Sequence, residues 1–168
     1  KDLTTGEMLP DIIPNTGGSA TWAEDNKTIF YTSKDATLRD YKIWKHRIGT
    51  PASSDKVVYE EKDETFGAFV YKTKSKKYIV IESYSTVSQE FQYMDADNPD
   101  GQLKIFQPRK RGLEYSIEHF NDIWYVRTNK DAKNFRLMKT PVTATSEDNW
   151  TEVIGNRDDV LLEGMDVF

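Results

Sequence analysis

An all-β fold of successive four-stranded antiparallel sheets is predicted for this chain by three observations. No window of 12 or more residues keeps an apolar i, i+3, i+4, i+7 stripe. Short Ile, Val, Phe, Tyr and Trp runs bounded by Gly, Pro, Asn and Asp recur throughout. Matching runs also return at a nearly fixed interval: Ile29, Tyr78 and Ile123 are separated by 49 and 45 residues, and Val58, Ile105 and Val153 by 47 and 48. A four-strand unit repeating every 47 residues or so marks a propeller blade, a small sheet that cannot bury both faces until neighbours stack on it. The reading is a partial β-propeller of three four-stranded blades, with a partial blade at each end.

Taken in order, residues 1–18 are read as the end of a preceding blade, with Thr4-Thr5-Gly6 turning between Leu3 and a strand at Glu7–Ile13. The first blade (19–64) has strands at Thr21–Ala23, Thr28–Ser33, Lys42–Arg47 and Lys56–Tyr59. The second (65–111) has Ala68–Lys72, Tyr78–Tyr84, Glu90–Asp95 and Leu103–Gln107; the third (112–158) has Tyr115–His119, Ile123–Thr128, Arg136–Thr140 and Thr151–Ile154. Residues 159–168 are expected to open a following blade between Leu161-Leu162 and Val167-Phe168. Polar turns at Glu24-Asp25-Asn26-Lys27 and Asn121-Asp122 suit tight hairpins.

Composition limits the function classes. The 168 residues carry 23 basic and 28 acidic side chains, a net charge of -5, which argues against a nucleic-acid groove. No apolar run reaches the roughly 18 residues needed to span a bilayer, so no membrane partner is expected. The chain starts at Lys1 without an initiator Met or a secretory apolar region and reads as a piece of something longer. Without cysteine there is no disulfide framework, thiolate nucleophile or zinc–thiolate site. That suits a cytoplasmic protein, with the periplasm left open.

Catalytic signatures are absent: no Gly-x-Ser-x-Gly, His-Glu-x-x-His, phosphate loop or Gly-x-Gly-x-x-Gly occurs. His46 and His119 lie in or beside strands with no nucleophile near them in sequence, and are expected to have structural or surface roles. Asp95 to Gly101 looks like a calcium loop, but Pro99 takes the fifth ligand position and Phe106 the twelfth, so a strand connection is expected. Arg109-Lys110-Arg111 is read as a linker between blades. The acidic group Glu60, Glu61, Asp63 and Glu64 at the first blade's exit is the candidate substrate-steering site, able to attract a basic ligand toward a channel; a solvated linker is its ordinary alternative. Trp22, Phe30, Trp44, Phe69, Tyr78, Tyr93, Phe106, Trp124 and Tyr125 are assigned to blade-to-blade packing rather than to a stacking platform. No cofactor is suggested.

Several segments are more specific than a generic propeller. His46-Arg47-Ile48-Gly49-Thr50-Pro51, then Asp55-Lys56-Val57-Val58-Tyr59-Glu60-Glu61-Lys62-Asp63, resemble the propeller of the prolyl oligopeptidase family of serine peptidases, in particular its branch that cleaves after Arg or Lys. Trp22-Ala23, Tyr41-Lys42-Ile43-Trp44, Glu114 to His119, Lys133-Asn134-Phe135 and Leu162-Glu163-Gly164-Met165 follow in that family's order. The resemblance implies a two-domain parent in which a seven-bladed propeller caps an α/β-hydrolase domain with a Ser/Asp/His triad. The partners it implies are that hydrolase domain and short basic peptides. The triad belongs to the other domain, so no catalytic residue is carried onto this sequence. The propeller's part is exclusion, admitting flexible peptides and rejecting folded proteins.

Two other readings stay open: a free-standing propeller scaffold that binds a protein or peptide, and a sugar-processing propeller with paired carboxylates, for which no pair here stands out. The parent sequence beyond Phe168 discriminates them, because a later Gly-x-Ser-x-Gly with Asp and His supports the peptidase. Exposed blade faces lead to the expectation that the isolated chain self-associates.

Overall fold

The structure is a computed structural model describing residues 1–168. Twelve strands form three separate four-stranded antiparallel sheets, each with strand order following the chain. The first contains β1 (Thr16–Trp22), β2 (Thr28–Lys34), β3 (Asp40–Arg47) and β4 (Lys56–Glu60). The second contains β5 (Gly67–Lys72), β6 (Tyr78–Tyr84), β7 (Gln89–Asp95) and β8 (Lys104–Ile105). The third contains β9 (Tyr115–Phe120), β10 (Ile123–Thr128), β11 (Arg136–Pro141) and β12 (Thr151–Ile154). This is the architecture of a partial β-propeller. No helix is long and apolar enough to cross a membrane.

Turn chemistry fixes the hairpins. Asn26 adopts φ 53° while the Asp25 carboxylate accepts the Lys27 and Thr28 amides at 2.9 and 2.8 Å. Asn121, at φ 55°, reverses the chain between β9 and β10, a conformation that Asn tolerates better than most residues. β1 begins earlier than the apolar pattern suggests, because Gly17 sits where a Cβ atom would lie 1.8 Å from an Asp40 carboxylate oxygen. A larger residue there would have to push aside the Asp40 carboxylate and the Thr32 hydroxyl, the latter 2.5 Å from the same Cβ position.

Burial alternates along the strands, and the middle sheet buries both faces. Ile79 and Ile81 of β6 face the first sheet, packing with Ala68, Val70 and Met94 against Phe30 and Ile43. Tyr78 and Val80 face the third, packing with Phe91, Tyr93 and Phe106 against Tyr115, Trp124 and Trp150.

The two ends differ from the expected partial blades. The turn at the start is present, with the Asp2 amide donating to the Glu7 carbonyl at 2.9 Å, but Glu7–Ile13 forms no strand. Pro10 and Pro14 each lack a ladder donor. Between them the Asp11 carboxylate accepts the Gly49 amide at 2.5 Å and meets His46 Nε2 at 3.2 Å, which makes the segment a strap over the first sheet. Residues 161–168 likewise form no strand; the Leu162 carbonyl accepts Arg127 Nε at 2.6 Å and its amide donates to the Asn134 carbonyl at 2.9 Å, so isolated bonds at one residue hold this segment instead of a ladder.

Candidate functional site

The acidic segment that follows β4 is built around two arginines. Arg39, at the start of the β3 hairpin, donates from Nη1 to the Phe66 and Asp63 carbonyls at 2.8 and 3.1 Å, while its Nε meets Asp35 at 2.9 Å. The segment therefore curls around one guanidinium, whose planar set of donors can satisfy several carbonyls together. Arg109, from the corresponding exit of the second sheet, reaches back to Glu61 at 2.5 Å and lies 3.8 Å over the centre of the Phe66 ring.

The four nominated carboxylates have different environments. Glu61 is only 4% exposed, and besides Arg109 it accepts the Tyr59 hydroxyl at 2.8 Å and the Asp63 amide at 2.9 Å. Burial by itself would push its carboxyl up, but these three donors outweigh burial and hold it below the ordinary range. Its charge is engaged within the protein, so Glu61 is a structural anchor and not a free attractor. Glu60 is exposed and lies 3.6 Å from Lys42. Asp63 is exposed and accepts the Thr65 hydroxyl and amide at 2.6 and 2.9 Å, contacts that keep its carboxyl low. Glu64 is exposed beside Thr65 and Tyr84 in an open groove. A neighbouring cavity of about 560 Å³ is walled by Asp63, Phe66, Ser88, Arg109 and Arg111.

The sequence pattern places Arg109 in a linker between blades; in the structure its side chain also joins the exits of two blades. A signal for this was present: Arg109 stands 48 residues after Glu61, one repeat, at equivalent exits with opposite charge.

Both histidines are buried in the packing. His46 has its two ring nitrogens against carboxylates, Asp55 at 2.8 Å and Asp11 at 3.2 Å, which leaves neither nitrogen free to meet a hydroxyl. His119 Nδ1 lies 2.8 Å from the Ser75 hydroxyl, a contact between the second and third sheets that sequence distance concealed. A Ser–His contact alone is not a nucleophile and base. No carboxylate meets His119 Nε2, and burial followed by the nearby Lys77 charge pushes the imidazole pKa down, weakening it as a base. The Asp95–Gly101 segment is a pair of tight turns, in which the Asn98 and Gly101 amides donate to the Asp95 and Asn98 carbonyls at 3.1 and 2.9 Å.

The aromatic assignment divides. Phe30, Tyr78, Tyr93, Phe106 and Trp124 are buried between sheets, but Trp22 and Phe69 are 43% and 40% exposed, and Trp44 and Tyr125 are half-buried.

Residues 1–168 match the family described as "Prolyl oligopeptidase, N-terminal beta-propeller domain". The chain is 40% identical to a dipeptidyl aminopeptidase BI of Pseudoxanthomonas mexicana, covering 100% of this chain and 23% of that protein. It is 38% identical to Protease 2 of Moraxella lacunata over 87% of this chain and 21% of the other. Among solved structures, oligopeptidase B from Trypanosoma brucei, in a closed form with covalently bound antipain, superposes with a TM-score of 0.87 at 33% identity, covering 95% of this chain and 23% of that one. The chain thus spans about a quarter of the length of these relatives. With three stacked sheets in chain order and a match along its whole length, the chain belongs to the prolyl oligopeptidase family, as part of that family's N-terminal β-propeller domain.

Proposed function

We infer that this chain is a non-catalytic wall segment of a longer serine oligopeptidase that hydrolyses short peptides after Arg or Lys, and that its blades restrict access to an active site carried on an α/β-hydrolase domain. The whole-length match to a propeller domain, at about a quarter of the relatives' length, is the observation that carries this reading. A rigid arc of blades admits an extended peptide and rejects a folded protein, and loosening between blades or domains sets the rate of entry. Within the acidic group, Glu60, Asp63 and Glu64 are the residues proposed to draw cationic peptides inward, because their carboxylates face solvent. Glu61 supports them by holding the segment on Arg109.

The test uses the full parent enzyme with Glu60→Lys, Asp63→Lys and Glu64→Lys combined. The KM for Arg-containing peptides is expected to rise several-fold at low salt and much less at high salt, since exposed charges are screened over about 10 Å at 0.1 M. An unchanged KM at both salts removes the steering role. The isolated chain is expected to leave Arg- and Lys-terminated chromogenic peptides intact; turnover by a pure sample would overturn the non-catalytic assignment.

A second specificity is favoured by one relative, the 40% identical dipeptidyl aminopeptidase, whose name implies removal of dipeptides from a free amino terminus. Parallel assays on N-blocked Arg peptides and on free dipeptidyl substrates separate the two. Cleavage confined to the free dipeptides would replace the Arg/Lys reading.

A further inference from the structure

At the end of the blades opposite to the acidic segment, a cavity of about 290 Å³ opens between the first and second sheets, and none of its lining residues is hydrophobic. Three cations face it: Lys45 and Arg47 from β3 and Lys56 from β4. Lys45 and Lys56 are direct cross-strand partners. Like charges placed opposite each other on a sheet destabilise it unless an anion lies between them.

Two carboxylates also reach the cavity. Asp55 is committed elsewhere, to His46 Nδ1 at 2.8 Å and the Tyr31 hydroxyl at 2.9 Å. Asp100 comes from the second sheet's β7–β8 connection, where Lys45 Nζ donates to its carboxylate and to the Pro99 carbonyl at 3.0 Å. The Lys45 hydrogen bond first, then the charges of Lys45, Lys56 and Arg47, hold the Asp100 carboxyl below its usual range. Arg47 and Lys56 form no ion pair of their own, and the Asp100 side chain is 78% exposed. With Asp55 committed elsewhere, Asp100 faces three cations, two of which, Arg47 and Lys56, have no ion-pair partner.

We propose that this cavity is an oxyanion-binding site for a compact phosphate or carboxylate ligand, and that Asp100 is a built-in plug which the ligand displaces. Arg47 supplies a planar pair of donors suited to two ligand oxygens, and Lys45 and Lys56 act as point charges on either side. Because Lys45 and Asp100 belong to different sheets, displacement exchanges an inter-blade contact for one within the first blade. Bound ligand therefore loosens one rim of the first interface.

The experiment titrates inorganic phosphate, and separately N-acetyl-dialanine with its free carboxylate, into the full chain by calorimetry in a low-chloride buffer. Asp100→Asn is expected to bind at least one of the two about tenfold more tightly than the unchanged protein, since removing the plug raises the fraction of open sites. Arg47→Gln with Lys56→Gln is expected to abolish that binding. All three residues are exposed, and a thermal melt without ligand verifies that each variant is folded. The arm showing the Asp100-dependent gain identifies the ligand's source. The proposal is overturned if neither ligand binds Asp100→Asn more tightly, or if the double variant binds as well as the unchanged protein.

Discussion

The interface between the first and second sheets and that between the second and third each stack one four-stranded sheet on the next but are filled with different chemistry. The first is aliphatic inside, with Phe30 the one fully buried ring among Ile43, Val70, Ile79, Ile81 and Met94, and Tyr59 partly buried against them. Its rim is ionic, with Glu61–Arg109, Glu24–Lys72 and Lys45–Asp100 each joining the two sheets. The second is aromatic inside: Trp124 is fully buried, with Tyr78 stacked at 4.9 Å and Tyr93 and Phe106 edge-on at 5.3 and 5.4 Å. Its rim combines hydrogen bonds, Tyr71 hydroxyl to the Ile117 carbonyl at 3.1 Å and Thr145 hydroxyl to the Phe106 carbonyl at 2.6 Å, with more exposed ion pairs, Lys110–Glu147 at 2.8 Å and Lys77–Asp122 at 3.7 Å. Small aliphatic side chains let sheets approach closely, while flat rings fill a wider wedge with directional contacts. The rims thus share ion pairs, and the interiors carry the difference: the second interface should be the more sensitive to loss of ring volume.

The largest expected effect comes from Trp124→Ala, which removes the ring that four other aromatic side chains contact. A loss of about 3–5 kcal/mol is expected, read as the drop in urea-unfolding free energy. Ile79→Val in the first interface should lose only about 0.5–1.5 kcal/mol; equal losses would erase the distinction between the interiors. Next in size is Arg109→Ala, which leaves the Glu61 carboxylate buried without its cation. Breaking a buried pair costs about 3–5 kcal/mol, and partial exposure of Arg109 lowers the expectation to about 2 kcal/mol. Removing both charges as Arg109→Met with Glu61→Gln should recover much of that loss, and failure to recover would show that the pair matters through shape instead.

A pH test sharpens the second interface. Glu82 lies between Phe69 and Phe91 in the sheet register, on the face toward the third sheet, and burial pushes its carboxyl up to about 7. A carboxyl raised in the folded state favours folding fully below its unfolded value of about 4.5 and loses that contribution as pH rises through about 7. Glu82→Gln should accordingly melt at a higher temperature than the unchanged chain at pH 8 and nearly with it at pH 4. His119, pushed down by burial and Lys77, acts in the other direction: its contribution is complete above its unfolded value of about 6.5 and declines as pH falls below it. Identical pH profiles for Glu82→Gln and the unchanged chain would mean that water reaches this carboxyl freely. The smallest effect is that of salt. Because both rims carry partly exposed ion pairs, moving from 0.05 to 0.5 M chloride should weaken either interface by less than about 1 kcal/mol, read as a small drop in the urea-unfolding free energy.

Much of the fold was legible because it follows from local rules applied repeatedly. Asn26 and Asn121 mark hairpins through the conformations their own side chains tolerate, and the spacing from Ile29 to Tyr78 to Ile123 marks stacked units through simple repetition. The ends were misread for a local reason too. Glu7–Ile13 has strand-like residues, but Pro10 within it, Pro14 directly after it and the reach of Asp11 to His46 and Gly49 make it a strap. Within the site, the acidic segment is visible as a charge cluster, while the burial of Glu61 is not: the one-repeat spacing to Arg109 hints at a pairing, but which of the four carboxylates turns inward is set by the packing of two blade exits.

The sequence by itself determined the all-β class, the repeat, the hairpin turns and the likeness to a peptidase propeller, since each depends on residues within a few positions of one another or on a period. Only the tertiary structure decided which carboxylates face water, which sheets pack through aliphatic and which through aromatic side chains, and where Arg109, Ser75 and Asp100 find their partners. Those outcomes depend on side chains brought together across a blade interface, roughly one repeat apart along the chain, where burial and charge are set jointly by two sheets.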